Sequence, residues 1–226
     1  MILPIAGLLE DATLARLRAL LAGARFGDGR RSAGWAARGV KANEQAAPAD
    51  PAVQEAAGIV SAALLGHALF RAAALPRRLR PVLFARYAGE GAYGTHMDDA
   101  LMGLADPAGP VRTDLSVTVF LAGPDDYEGG ELVIEGVGGE AEYKLPAGCA
   151  LVYPATTLHR VAPVTAGERL VAVTWAQSLV REAAARETLF DLDRARRAVF
   201  AREGDGETFR LLAKTHANLL RRWAET

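Results

Sequence analysis

Apolar residues recur at helical spacing near the start of the chain, at Leu9, Leu14, Leu17, Leu20 and Leu21, with Asp11 ahead of them. Negative charge in a first turn suits the helix dipole, so an amphipathic helix is predicted over residues 10–24. Residues 27–50 are rich in glycine, alanine and polar side chains, follow no clear period and read as a loop or short edge strands. Asp50-Pro51 then supplies a capping residue followed by proline at a first helical position. The helix it starts is expected to run from 51 to about Arg71 and to stop before Pro76.

From Pro81 to Ser178 the pattern changes to short apolar or alternating runs broken by glycine, proline and aspartate. Residues 82–87, 114–122, 130–136, 141–145, 150–154, 159–164 and 169–178 read as strands. The segments 123–130, 137–139 and 146–148 carry turn chemistry between them. Short strands at this spacing, with helices at both chain ends, predict an α+β protein with a mainly β core, a double-stranded β-helix or jelly roll. After Ser178 helical spacing returns, first through Leu189, Phe190, Leu192 and Val199, then through Phe209, Leu211, Leu212, Leu219, Leu220 and Trp223. Gly204 and Gly206 separate the two runs. The expected organisation is a helical and edge-strand support over 1–77, the jelly roll over 78–178 and a helical extension over 179–226.

Composition narrows the function. The 226 residues carry a formal charge of −1, 50% hydrophobic and 23% charged residues, ordinary values for a globular chain with a sizeable core. A net charge near zero offers no field for gripping a nucleic-acid backbone, so no nucleic-acid partner is expected. The single cysteine, Cys149, excludes an internal disulfide framework. The opening MILPIAGLLE lacks the basic start of a leader, and no apolar run approaches a membrane span, so a cytoplasmic protein without a membrane partner is expected.

The chain has four histidines, at 67, 96, 159 and 216, and the sharpest local feature is GTHMDD over 94–99. In an extended segment residues two apart share a face, so His96 and Asp98 converge while Asp99 turns away. With the distant His159 they make the ligand set of a two-histidine, one-carboxylate facial triad, which holds Fe(II) and leaves positions open for a cosubstrate and dioxygen. Each histidine taken singly also suits a structural role. Arg169 follows on the next strand, where alternation places it with Val171 and Val173 on one face. A buried guanidinium wants a carboxylate. A dicarboxylic cosubstrate reaching from the metal would supply one, and so would an internal glutamate.

The segments RYAGEGAYGTHMDDA, RTDLSVTVFLAGPDDYEGGELVI and KLPAGCALVYPATTLHRVAPVTAGERLVAVTWAQS, with the helical tail, resemble the bacterial PKHD-type hydroxylases. These are Fe(II)- and 2-oxoglutarate-dependent dioxygenases related to the prolyl 4-hydroxylase catalytic domain, and the likeness runs from MILPIAGLLE through KANEQ to HANLLRRWAE. It implies His96, Asp98 and His159 as iron ligands and Arg169 as the 2-oxoglutarate anchor, with Tyr87 as a further hydrogen-bonding candidate. It also implies ascorbate to keep iron reduced, O2 as cosubstrate, and hydroxylation of an unactivated C–H bond with release of succinate and CO2. The substrate it implies is a small molecule or a peptidyl residue, with a link to iron-siderophore uptake in some relatives. One departure stands out: the tyrosine that animal prolyl hydroxylases carry on the SVTVFLA strand is replaced here by Val119 and Phe120. Two rivals are a cupin-like metal enzyme of another reaction class and a non-catalytic iron or 2-oxoglutarate sensing module.

The other polar features read more plainly. His67 is expected as a packed or capping residue and His216 at a surface or interface. The acidic turn of Asp125, Asp126 and Glu128 reads as solvated, since the dense ligand pattern of a calcium loop is missing. KANEQ (41–45) is expected as a solvent-exposed loop, although it could border the substrate entrance. The apolar C-terminal helices would cover the barrel or form the interface of a homo-oligomer.

Overall fold

The computed structural model describes residues 1–106 and 109–225. The chain begins with β1 (Leu3–Ile5) and α1 (Asp11–Ala22), then β2 (Phe26–Asp28), two 3-10 turns (Gly29–Ser32 and Ala37–Val40), β3 (Lys41–Ala42) and β4 (Glu44–Ala46). Helices α2 (Pro51–Gly66) and α3 (Ala68–Ala74) follow, and the chain then enters β5 (Pro76–Leu79), β6 (Leu83–Tyr87) and β7 (Gly91–His96). Beyond them lie β8 (Leu101–Met102), β9 (Val111–Arg112), β10 (Leu115–Phe120), β11 (Tyr127–Gly129), β12 (Leu132–Gly136) and β13 (Gly139–Tyr143). β14 (Ala150–Pro154), β15 (His159–Gly167) and β16 (Arg169–Ser178) complete the β region, and α4 (Ala183–Glu203) and α5 (Glu207–Trp223) end the chain.

The strands form two antiparallel sheets. The larger runs β1-β14-β10-β16-β6-β4-β2, with β5 also paired to β16. The smaller runs β13-β12-β15-β7-β3, with β11 also on β15. A separate ribbon joins β8 to β9. Strict alternation along the large sheet divides its side chains between two cores. Leu115, Val117 and Val119 of β10, with Phe84, Val152 and Ala172, face the helices and meet Leu17 and Leu21 of α1 and Val60 and Leu64 of α2. Phe120, Leu151, Tyr153 and Val171 face the small sheet and meet Leu132, Ile134, Val161 and Val164. This is the jelly roll that the run lengths predict, with the helices packed on its outer face.

The segment 27–50 resolves into edge strands, as one of the two expected readings had it: β3 extends the small sheet, while β4 and β2 extend the large one. The KANEQ stretch is therefore not a solvent loop, because backbone pairing with β7 and β6 draws alternate residues inward, and Lys41 is buried. The single helix expected over 51–71 is two helices bent by 77° at His67. Asp50 caps the first through the Ala52 N–H (3.0 Å). The bend has a packing reason. Val53, Ala56, Val60 and Leu64 define the buried stripe, and a straight continuation would put His67 and Arg71 on it. Breaking at His67 rephases the chain so that Phe70, Ala73 and Ala74 are buried instead. Among the described residues no single helix is long and apolar enough to cross a membrane.

At the C-terminus α4 and α5 pair as an antiparallel hairpin, turning at Gly204, whose φ of +71° and ψ of −152° suit only glycine. His216 lies buried beside Asp193 and Arg196 of α4 rather than at a surface, because it falls on the face of α5 that meets α4. The chain end is tied back by charge. Arg112 donates to both carboxylate oxygens of Asp114 (2.7 and 3.0 Å) and to Glu225 (2.9 Å), while Asp114 also accepts the Ser178 N–H (2.8 Å). Asp114→Ala would remove the bidentate partner of Arg112, which would keep only Glu225 and the Ser178 carbonyl, and would strand the buried Ser178 amide. We expect a loss of about 3 kcal/mol in urea unfolding, and a change under about 0.5 kcal/mol would contradict this network.

Candidate metal and cosubstrate centre

β7 and β15 are antiparallel neighbours, and their register sets His96 directly across from His159. The pairing is irregular between His159 and Val161, a bulge of the kind that re-aims side chains at the end of a barrel. The rings lie 4.3 Å apart between centroids, inclined at 52°. Asp98 follows His96 by two residues, just past the end of β7, and its Oδ2 reaches 3.9 Å from His159 Nε2. One ligand atom from each of His96, Asp98 and His159 falls within 4.8 Å of the others. The structure thus brings together the three residues that the sequence pattern singled out. Asp99 is exposed, and its backbone carbonyl accepts from the Thr113 hydroxyl (2.7 Å).

Each donor is held by a second group. His96 Nδ1 meets the Gly94 carbonyl at 2.8 Å, and His159 Nδ1 meets the Thr157 carbonyl at 3.0 Å. A carbonyl only accepts, so Nδ1 carries a proton in both rings and Nε2 is the atom each ring presents to its neighbours. Both histidines thus use the carbonyl two residues upstream to present Nε2. Burial, reinforced by the neighbouring His159, pushes His96 down to about 4, so this ring is neutral near pH 7. The fully buried Ser116 of β10 donates its hydroxyl to Asp98 Oδ2 and so fixes the carboxylate from the opposite sheet. Tyr93 stacks on His96 at 3.6 Å, and Tyr153 meets His159 edge-on at 5.2 Å. Burial pushes the Tyr153 phenol up, so it is a neutral donor.

The centre opens into a cavity of about 480 Å³ between the sheets, a size that suits small ligands. Arg169, the first residue of β16, lies on its lining and is only 1% exposed. Its Nε and Nη1 are buried without a hydrogen-bond partner. The guanidinium sits 5.0 Å from the Tyr87 ring and 5.7 Å from the Phe120 ring. The glutamate next to it in sequence, Glu168, pairs instead with Arg86 (3.9 Å). Tyr127 of β11 has a buried hydroxyl beside the Arg169 guanidinium, with no well-aligned hydrogen bond formed between them. Sequence reasoning passed over Tyr127 and Ser116, which sit on strands without a motif around them.

Lys41, Asn43 and Gln45 form one wall of the cavity, in line with the second reading of KANEQ as a border of the entrance rather than with the solvent loop. The alternation of polar residues at 41, 43 and 45 was the available signal, masked by the irregular composition around it. Lys41 donates to Ser32 Oγ (2.9 Å), and burial lowers it to about 8 against the opposing pull of Asp98. Trp175 Nε1 is a further buried, unpartnered donor on the lining.

Residues 82–177 match the 2OG-Fe(II) oxygenase superfamily, and residues 184–225 match the PKHD-type hydroxylase C-terminal domain. A PKHD-type hydroxylase of Synechococcus elongatus is 51% identical, and one of Gloeothece citriformis 50% identical, each over 100% of both chains. Among solved structures, a prolyl-4-hydroxylase of Pseudomonas putida shares the fold at a TM-score of 0.56 with 17% identity, covering 78% of this chain and 92% of its own. HygX of Streptomyces hygroscopicus, solved with nickel and 2-oxoglutarate bound, gives a TM-score of 0.55 with 15% identity, covering 80% of this chain and 84% of its own.

An unpaired buried charge opposes folding. Arg169→Met should therefore leave the ligand-free protein as stable as the wild type or raise its stability, by up to about 2 kcal/mol in urea unfolding. A loss above about 1 kcal/mol would mean that the arginine supports the fold itself.

Proposed function

The chain belongs to the PKHD-type hydroxylases of the 2OG-Fe(II) oxygenase superfamily, and from that premise we propose a specific division of labour among its residues. His96, Asp98 and His159 hold Fe(II), and Arg169 binds the distal carboxylate of 2-oxoglutarate. The protein uses O2 to hydroxylate an unactivated C–H bond, with succinate and CO2 as co-products. The observation that carries this reading is the buried Arg169, which has no carboxylate partner among the described residues and lines the same cavity as three convergent metal-type donors.

The residues suit both groups. Two imidazoles presenting Nε2 and one carboxylate form the donor set that favours Fe(II) and leaves adjacent coordination positions open. When bound, iron and cosubstrate supply the redox chemistry that side chains lack. The protein's share is positioning and exclusion of water. Gly94 and Thr157 carbonyls fix the two rings, and Ser116 fixes Asp98; such outer contacts tune ligand orientation and basicity. Arg169 meets a carboxylate by charge-assisted hydrogen bonds. The Tyr127 hydroxyl beside Arg169 is the second donor we assign to that carboxylate, in place of the tyrosine replaced by Val119 and Phe120 on β10. Leu132, Val161 and Val173 form apolar walls that keep the reaction from water.

Ascorbate serves as the reductant that maintains Fe(II), and the substrate is a small organic molecule or a peptidyl residue, with a component of iron-siderophore uptake as one such class. Succinate formation under Fe(II), 2-oxoglutarate and O2 tests the assignment. His96→Ala, Asp98→Ala and His159→Ala should each lower it by at least about 100-fold with loss of bound iron; wild-type rates in any of them would exclude that residue as a ligand. Arg169→Met should raise the 2-oxoglutarate KM by about 100-fold, the equivalent of nearly 3 kcal/mol, with iron retained. An unchanged KM would remove the anchor role. Tight 2-oxoglutarate binding without succinate or oxygen uptake would identify a sensing module instead.

A further inference from the structure

Part of the cavity takes no share in holding a metal or a dicarboxylate as assigned above. Lys41 lies on the edge strand β3, paired across to Tyr93 of β7. The residue is only 8% exposed, and its side chain lines the cavity. One hydrogen bond, to Ser32 Oγ at 2.9 Å, and the face of the Tyr93 ring at 4.8 Å hold the ammonium in place. Tyr93 in turn stacks on His96, so the cation stands beside the candidate metal centre. Two residues on, Asn43 lines the same cavity with both amide atoms, Oδ1 and Nδ2, buried, and the Tyr87 hydroxyl beside it makes no well-aligned hydrogen bond with either. Asn43 sits where the chain passes from the small sheet (β3) to the large one (β4), against Gly29 and beside Tyr87.

A lysine kept for stability would pair with a carboxylate or keep its head in water. Lys41 does neither: no ion pair among those of the described residues engages it, and one hydroxyl satisfies one of its three N–H groups. An apolar side chain would fill the same space without the desolvation cost. A buried amide two residues away, whose loose contact with the Tyr87 hydroxyl leaves most of its hydrogen-bonding capacity unused, repeats the pattern, since leaving buried polar groups unmade costs about 1–3 kcal/mol each. Both groups are poised for a partner that enters from the cavity. That partner is an acceptor for Lys41 and a donor–acceptor pair for Asn43. A divalent ion on the triad would add positive charge facing Lys41 and deepen the preference for an anion.

We propose that Lys41 and Asn43 form the anchor for the substrate to be oxidised, and that this substrate is an organic carboxylate with an amide or hydroxyl group close to its charged end. The proposal rests on the oxygenase reading above and deepens it. Arg169 and Lys41 then divide two anions between them: the cosubstrate takes the arginine on β16, and the substrate takes the lysine on β3.

The test uses the full chain loaded anaerobically with Fe(II) and saturating 2-oxoglutarate. The probes are 4-phenylbutyrate and its neutral isostere 4-phenylbutyramide, measured by isothermal titration calorimetry. Wild-type protein should bind the carboxylate about tenfold or more tighter than the amide, the equivalent of at least 1.4 kcal/mol. In Lys41→Met that ratio should fall to about one, with 2-oxoglutarate affinity within about twofold of wild type; Lys41→Arg should keep part of the preference. Equal binding of the two probes to wild type, or binding of neither, overturns the anchor. So does a ratio unchanged in Lys41→Met. A Lys41→Met protein that loses 2-oxoglutarate affinity instead assigns the lysine to the cosubstrate and likewise overturns it. Failure of the oxygenase reading has a different signature, namely wild-type protein that binds no 2-oxoglutarate. The probe comparison repeated without metal and cosubstrate then still decides on Lys41.

Discussion

The antiparallel register between β7 and β15 is the constraint on which the centre depends. It sets His96 opposite His159, and a slip of one strand by one residue would turn its ring to the other face of the small sheet, away from its partner. The register is held by what surrounds it: β3 on one edge of β7, β12 and β11 along β15, and Val161 and Val164 buried against the large sheet. Only Asp98 lies off the strands, and it is fixed from the facing sheet by Ser116. The three donors thus converge because two sheets are packed at one distance and in one register, not because a local loop folds around an ion.

The electrostatics of the cavity run against the bulk composition. A chain with a net charge of −1 keeps two cationic side chains, Arg169 and Lys41, buried on the lining of one cavity. Neither has an ion-pair partner among those formed by the described residues. The compensating stability is spread over the helix-facing core, where α1, α2 and α3 cover the large sheet, and over the Arg112–Asp114–Glu225 network that closes the chain. A site that is costly for the empty protein is favourable for anions that enter it, which is how a scaffold of ordinary stability can be selective.

Much of this was legible in the residues. Period-two alternation located β6, β10, β12, β14 and β16, and the H-x-D spacing with His159 identified the three donors that the fold brings together. Arg169 was legible because an arginine between apolar neighbours on a strand has nowhere polar to go. What escaped were features set by distant pairing. β7 has mixed composition and becomes a strand only because β15 offers a free edge; β3, within the stretch read as a loop or short edge strands, pairs on β7 in turn, so the inward aim of Lys41 and Asn43 was not legible. The bend at His67 escaped because composition favours helix on both sides of it, and only the phase of the buried stripe demands the break. Ser116 and Tyr127 carry no motif, and their importance comes from what the opposite sheet places beside them.

The central claim is that His96, Asp98 and His159 hold iron while Arg169 holds the far end of 2-oxoglutarate. The most direct measurement is an anomalous diffraction map at the iron edge, from crystals grown anaerobically with Fe(II) and 2-oxoglutarate. The account predicts one iron peak within about 2.0–2.3 Å of His96 Nε2, Asp98 and His159 Nε2, and a dicarboxylate reaching from it to the Arg169 guanidinium. A peak bound elsewhere, or an Arg169 that has turned to a carboxylate of the protein itself, would contradict it.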